Sequence, residues 1–203
     1  MINVLEKGEP LKTAKKVAIM VHGRGSSGSQ IVSLAEHLNL DNFALLAPQA
    51  VGNAWYPYSF MAPRENNQPD LDQALAQLHA LVQHCLDNGK STDQLYIIGF
   101  SQGACLALEY AARNPEKYGG IIAFTGGLIG ETLDLNLYKG NFEQTPVFIG
   151  SSHRDMHVPL QRIKASEEIL EDMGANVKTL IFPDTYHTIR EEEIEWVNQH
   201  VLI

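Results

Sequence analysis

The sequence predicts an α/β domain: a mostly parallel sheet with helices on both faces. Three observations lead there. Short, wholly apolar runs such as Val17-Ala18-Ile19-Met20-Val21 and Leu95-Tyr96-Ile97-Ile98 read as strands buried on both sides. Segments with helical apolar spacing alternate with them along the chain. One serine lies between two glycines where such a strand gives way to such a helix, at Gly99-Phe100-Ser101-Gln102-Gly103.

In chain order, the strand at 17–21 runs into His22-Gly23-Arg24-Gly25-Ser26-Ser27-Gly28, and a helix is expected over about 29–38. Phe43 to Ala47 is the next strand, stopped by Pro48. Residues 49–69 are irregular and rich in aromatics. Asp70 is expected to cap a helix, with Gln73 in the capping-box position. That helix presents Leu71, Leu75, Leu78, Leu81, Val82, Cys85 and Leu86 on one face and ends near Gly89. After the serine turn come a helix, a strand at 120–124 and a loop through Asn141. A strand at 146–149 follows, then a helix from Pro159 to Met173 closed by Gly174. The last strand is 177–182, and Thr188-Ile189-Arg190-Glu191 is read as the box opening the final helix. Glu192 and Glu193 suit the positive end of that helix and so need no ligand.

Bulk properties narrow the function. The 203 residues suffice for one domain spanning 1–203, and 44% are apolar, so the chain can bury a core. The net charge of −9 argues against nucleic acid or an acidic membrane surface as partner. The first sixteen residues lack the apolar stretch of a signal peptide, and no run is long enough to span a membrane. Cys85 and Cys105 fall in apolar helical patterns, as buried free thiols of a reducing compartment. A cytoplasmic enzyme is expected; composition does not separate a monomer from a homodimer.

The chemistry begins at the serine. A strand-to-helix corner flanked by glycines lifts a serine hydroxyl above the sheet, at the positive end of the helix. Such a hydroxyl needs a base, and the base needs an orienting carboxylate. In this arrangement the chain order is serine, acid, histidine. Of the histidines after Ser101, His187 sits in a loop past the last strand, at the ligand-binding end of a parallel sheet. Asp155 follows the strand at 146–149 and is the leading acid; Asp184 shares the loop of His187 and stands second. The backbone N–H groups of Arg24 and Gln102 are the expected oxyanion donors. The Arg24 side chain is read as solvent-directed, with attraction of an acidic substrate as the other reading. Trp55 and Phe60, in the segment beyond the second strand, either wall a short substrate pocket or pack as a small core under their loop.

Two further patterns in the sequence point to other classes of function. Gly23-Arg24-Gly25-Ser26-Ser27-Gly28 fits G-x-G-x-x-G, a dinucleotide fingerprint, but the strand that should end in an acid ends in Ala47-Pro48-Gln49. His153, Asp155 and His157 raise a metal, yet no second cluster of ligand spacing accompanies them. A fold kept only for binding would have lost a position of the triad, and none is lost. No cofactor and no metal are expected.

With these residues assembled, the chain resembles the phospholipase/carboxylesterase family of α/β-hydrolases. Gly99-Phe100-Ser101-Gln102-Gly103 is similar to its elbow, Asp155-Met156-His157-Val158-Pro159 to its Asp-x-x-Val-Pro signature, and His22-Gly23-Arg24-Gly25 to its oxyanion loop. The resemblance runs from Ala14 to the C-terminus. It implies an α/β-hydrolase fold without a large lid domain and a serine esterase acting on small carboxylic esters, with thioesters and lysophospholipids as relatives' substrates. Arg24 and Tyr186 depart from the small or apolar residues common at those two places in the family.

Overall fold

A computed structural model describes residues 3–203. One seven-stranded sheet runs through the protein in the order β1-β3-β2-β4-β5-β6-β7. Its strands are β1 (Val4–Gly8), β2 (Lys16–Val21), β3 (Phe43–Pro48), β4 (Leu95–Phe100), β5 (Gly120–Phe124), β6 (Pro146–Ser152) and β7 (Asn176–Phe182). All neighbours are parallel except β1, which pairs antiparallel with β3. The α-helices among the described residues are α1 (Gly28–Val32), α2 (Arg64–Asn67), α3 (Asp70–Asp87), α4 (Gln102–Arg113), α5 (Leu160–Asp172) and α6 (Glu191–His200).

The apolar strands are buried on both faces because successive side chains point to opposite sides. On β2, Val17, Ile19 and Val21 join one core with Leu71 and Leu78 of α3, Leu106 of α4 and Ile163 of α5. Ala18 and Met20 face the other way, into a second core with Ile31 of α1 and Val197 of α6. Strand β4 divides likewise: Leu95 and Ile97 to the first core, Tyr96 and Ile98 to the second. The covered parallel sheet expected from the sequence is therefore present, with helices on both faces.

Five local readings change, the first being the segment 49–69, which is not irregular throughout but contains α2. Strand β1 leaves little trace in the sequence, because Val4 and Leu5 are its only half-buried residues and an edge strand shows little period. The helix after Ser27 has one α-helical stretch, α1, followed by a 3₁₀ turn at Ser33–Glu36. Asp70 does not cap α3: Pro69 holds the cap position, and Asp70 and Asp72 lie in the first turn. Thr188 does not cap α6 either. Arg190 is its cap, and the box is closed by Glu193, which accepts the Arg190 backbone N–H at 2.7 Å.

Candidate active site

Ser101 sits between β4 and α4 with φ 55° and ψ −118°, a positive-φ conformation outside the regions an L-residue prefers. The turn can be that tight because Gly99 and Gly103, two positions to either side, have no side chains. A Cβ on Gly99 would lie 2.3 Å from the Gly103 carbonyl oxygen, and one on Gly103 only 2.1 Å from that of Val21. Helix α4 thus rests directly on the ends of β2 and β4, and its first N–H groups point toward Ser101 without intrahelical partners.

Three side chains from three loops meet there. Ser101 Oγ lies 2.8 Å from His187 Nε2, and His187 Nδ1 lies 2.8 Å from Asp155 Oδ2. Asp155 is fixed in turn, its Oδ1 accepting the backbone N–H groups of His157 (2.7 Å) and Val158 (2.9 Å). A carboxylate only accepts, so Nδ1 of His187 carries the hydrogen and Nε2 is free to take one from Ser101. The arrangement can pass a proton from hydroxyl to imidazole while the buried carboxylate steadies the ring. Rings flank His187 on two sides, Phe100 at 5.4 Å and His157 at 5.0 Å.

Asp184 belongs to a different assembly. Its Oδ1 takes Ser152 Oγ at 2.7 Å, the Tyr186 N–H at 3.0 Å and Arg190 Nη2 at 2.5 Å. The Ser152 hydrogen bond, with the Tyr186 amide and the Arg190 charge, holds its carboxyl below the ordinary aspartate value. That knot ties both ends of the His187 loop to β6.

The loop after β2 lies against the elbow, since a Cβ on Gly23 would be 3.5 Å from Ser101 Cβ. His22 at its start is fully buried, and burial pushes its imidazole below the usual histidine value. Its Nε2 accepts the Ala50 N–H (3.2 Å), so Nδ1 carries the hydrogen and donates to the Gly23 carbonyl (2.7 Å). The backbone N–H groups of Arg24 and Gln102 have no acceptor among the described residues. The fingerprint-like glycines therefore border the serine, and β3 is followed by Gln49, whose amide bonds Gly28, Ala50 and Asn53. A dinucleotide site has no support in this arrangement.

The Arg24 side chain is exposed but does not run free into solvent, which corrects the favoured reading. Its Nη1 donates to Pro57 O (3.0 Å) and its Nη2 to Tyr58 O (2.7 Å), with the guanidinium 5.9 Å from the Tyr56 ring.

A cavity of about 690 Å³ opens beside Ser101. Phe60 lines it together with Tyr56, Phe100 and Val158. Trp55 does not line it, which corrects the pocket-wall reading of that residue and leaves the packed one. It is 3% exposed, packs 4.9 Å from the His22 ring and donates its indole N–H to the His22 carbonyl at 2.7 Å. Trp55 braces the loop after β2 instead of meeting the cavity. The clamp on this segment that the sequence did not disclose is the side chain of Gln102. Its Oε1 accepts the Trp55 N–H (2.9 Å) and its Nε2 donates to Tyr56 O (2.8 Å). No periodicity could signal it, because both partners are backbone atoms some fifty residues away.

Cys85 and Cys105 are free and buried, and burial pushes both thiols up to about 12. Among the described residues no three His, Cys, Asp or Glu side chains converge as a metal site, and no helix is long and apolar enough to cross a membrane.

The chain is similar to known proteins over nearly its whole length. The phospholipase/carboxylesterase family model matches residues 5–203. A crystal structure of a phospholipase/carboxylesterase from Dyadobacter fermentans superposes with a TM-score of 0.98 at 51% identity, covering 100% of this chain and 97% of that one. An acyl-protein thioesterase 1 from Debaryomyces hansenii is 32% identical, over 90% of this chain and 88% of its own length. A probable carboxylesterase of Arabidopsis thaliana, SOBER1-like, is 24% identical over 91% of this chain and 77% of its own. The chain belongs to the phospholipase/carboxylesterase family and is a serine hydrolase of carboxylic esters.

Proposed function

We propose that this protein hydrolyses small, short-chain carboxylic esters through a covalent acyl-enzyme on Ser101. The observation that carries the reading is the unbroken series Asp155–His187–Ser101, with both links at 2.8 Å. His187 Nε2 takes the hydroxyl proton as Ser101 Oγ bonds to the ester carbon. The carbonyl oxygen becomes an oxyanion, received by the N–H groups of Arg24 and Gln102; each such donor is worth roughly 3 kcal/mol of barrier. As the carbon–oxygen bond to the alcohol breaks, His187 returns its proton to the departing oxygen. Water then repeats the sequence, losing a proton to His187 and leaving the acid and free Ser101. A thioester follows the same steps with sulfur departing.

Short acyl groups suit the cavity because its wall mixes the Tyr56 and Phe60 rings with the polar Arg24 and Ser59. A long alkyl chain would gain apolar contact on only part of its length. The two buried free thiols fit a cytoplasmic setting. The test is Ser101→Ala with p-nitrophenyl butyrate, beside peptide mapping after a fluorophosphonate probe. The variant should lose turnover while its Tm stays near wild type, and the probe should label Ser101. Near-wild-type turnover, or a label elsewhere, would refute the assignment.

A further inference from the structure

The cavity beside Ser101 departs from the charge balance of the protein around it. The chain has 24 acidic residues against 15 lysines and arginines, yet among the described residues no aspartate or glutamate lines this cavity. The one permanently charged side chain in its wall is Arg24. Arg24 forms no ion pair among the described residues. Neutral acceptors hold it instead: the carbonyls of Pro57 and Tyr58 take one N–H from each terminal nitrogen, and the Tyr56 ring lies alongside. Those bonds fix the plane of the guanidinium without compensating its charge, and the fork keeps further N–H groups to offer. A cation immobilised before the ligand arrives loses little entropy when it binds an anion.

The direction of the substrate follows from the reading above, on which this inference rests. Ser101 Oγ holds the ester carbon and the Arg24 backbone N–H its oxygen. The departing alcohol must lie at His187 Nε2, whose neighbours are Phe100 and His157. The acyl chain takes the remaining direction, along the wall of Tyr56 to Phe60 to which the Arg24 guanidinium is tied. Arg24 thus joins the carbonyl oxygen to the acyl chain's path across the length of one side chain. Ser59 is on the same wall; its Oγ accepts the Met61 N–H, leaving its own hydrogen to donate. One fixed positive charge matches one negative charge, so a single carboxylate fits better than a doubly charged phosphate in a protein whose net charge is −9.

We propose that Arg24 receives a carboxylate at the far end of the acyl chain, so that the preferred substrates are half-esters or half-thioesters of short dicarboxylic acids. Hydrolysis then releases the dicarboxylate and the alcohol or thiol. The test measures methanol release from monomethyl glutarate and dimethyl glutarate, which share a chain and differ in one charge, by wild type, Arg24→Met and Arg24→Lys. Wild-type kcat/KM, per ester end, should favour the half-ester by about tenfold, the worth of one charge-assisted contact at an exposed site. Arg24→Met should bring the ratio to about one and Arg24→Lys should restore part of it. The ratio is the readout because both substrates use Ser101 and the same backbone donors, so a disturbed loop scales both rates alike. Equal wild-type rates, or a preference that survives Arg24→Met, would overturn the proposal while leaving the esterase intact. An Arg24-dependent preference for 3-acetoxypropanoate over its methyl ester would overturn it too, by moving the carboxylate to the alcohol side. Failure to turn over either glutarate ester or p-nitrophenyl butyrate would bring down the hydrolase reading itself.

Discussion

Asp155 and Asp184 leave the same end of the sheet but keep different company, and that sets what each substitution does. Asp155 faces His187 Nδ1, whereas Asp184 is spent on Ser152, Tyr186 and Arg190. Asp155→Asn should lower kcat by about ten-thousand-fold, since an amide donor there favours the wrong imidazole tautomer. Asp184→Asn should loosen the loop and cost far less, roughly tenfold or under; steady-state kinetics on one short ester compares them, and the reverse order would move the acid to Asp184. Glu193 supplies a pH effect of its own. Its carboxyl is fully buried above Gly150, with Oε1 unpartnered, and burial pushes it from 4.5 up to about 7. The folded protein therefore holds this proton more tightly than the unfolded chain does. Its contribution to stability is complete below pH 4.5 and is lost as pH rises through about 7, a span of about 3 kcal/mol. Glu193→Gln should flatten the fall in Tm between pH 5 and 8; an unchanged slope would assign it to other groups.

At the scale of elements, the elbow and the aromatic segment make opposite demands. The elbow tolerates no added atom. Gly103→Ala would press a methyl into the Val21 carbonyl, 2.1 Å from an ideal Cβ, and should destabilise the fold by roughly 3 kcal/mol or lose it altogether. Soluble yield and Tm would show it. The segment after β3 depends on what it is tied to: Gln102 and Arg24 hold its backbone, and Trp55 is buried behind it. Trp55→Ala should cost roughly 3–5 kcal/mol of stability and lower kcat/KM by a similar factor for every acyl length. Phe60→Ala, which opens the cavity wall, should shift the chain-length preference by roughly 1–3 kcal/mol. An ester series from two to sixteen carbons separates them, and parallel profiles for both variants would remove Phe60 from the acyl path. These contrasts mark how far the sequence could be read. Alternating aromatics announce that a segment buries something, but Trp55 and Phe60 carry the same apolar signal. Which of them turns to the cavity is decided by a hydrogen bond from Trp55 to a carbonyl thirty-three residues away.

For the molecule as a whole, the sequence by itself determined the layers and singled out Ser101 and His187 as candidates, with Asp155 ahead of Asp184 as the acid. Doubly apolar runs can be satisfied only as interior strands of a covered sheet, and all parallel strands of such a sheet end on one side. Residues just past those ends, Ser101 after β4, Asp155 after β6 and His187 after β7, are thereby brought toward one another by topology alone. The edge strand β1, the caps of α3 and α6, the clamp by Gln102 and the tethering of Arg24 were decided only by the tertiary structure. Each of these depends on a polar group finding one particular partner after the sheet has formed, most of them backbone atoms that every residue carries. Hydrophobic burial is written in residue type and period, so it is legible along the chain. Hydrogen-bond partners are chosen by distance and angle, which exist only once the chain has folded.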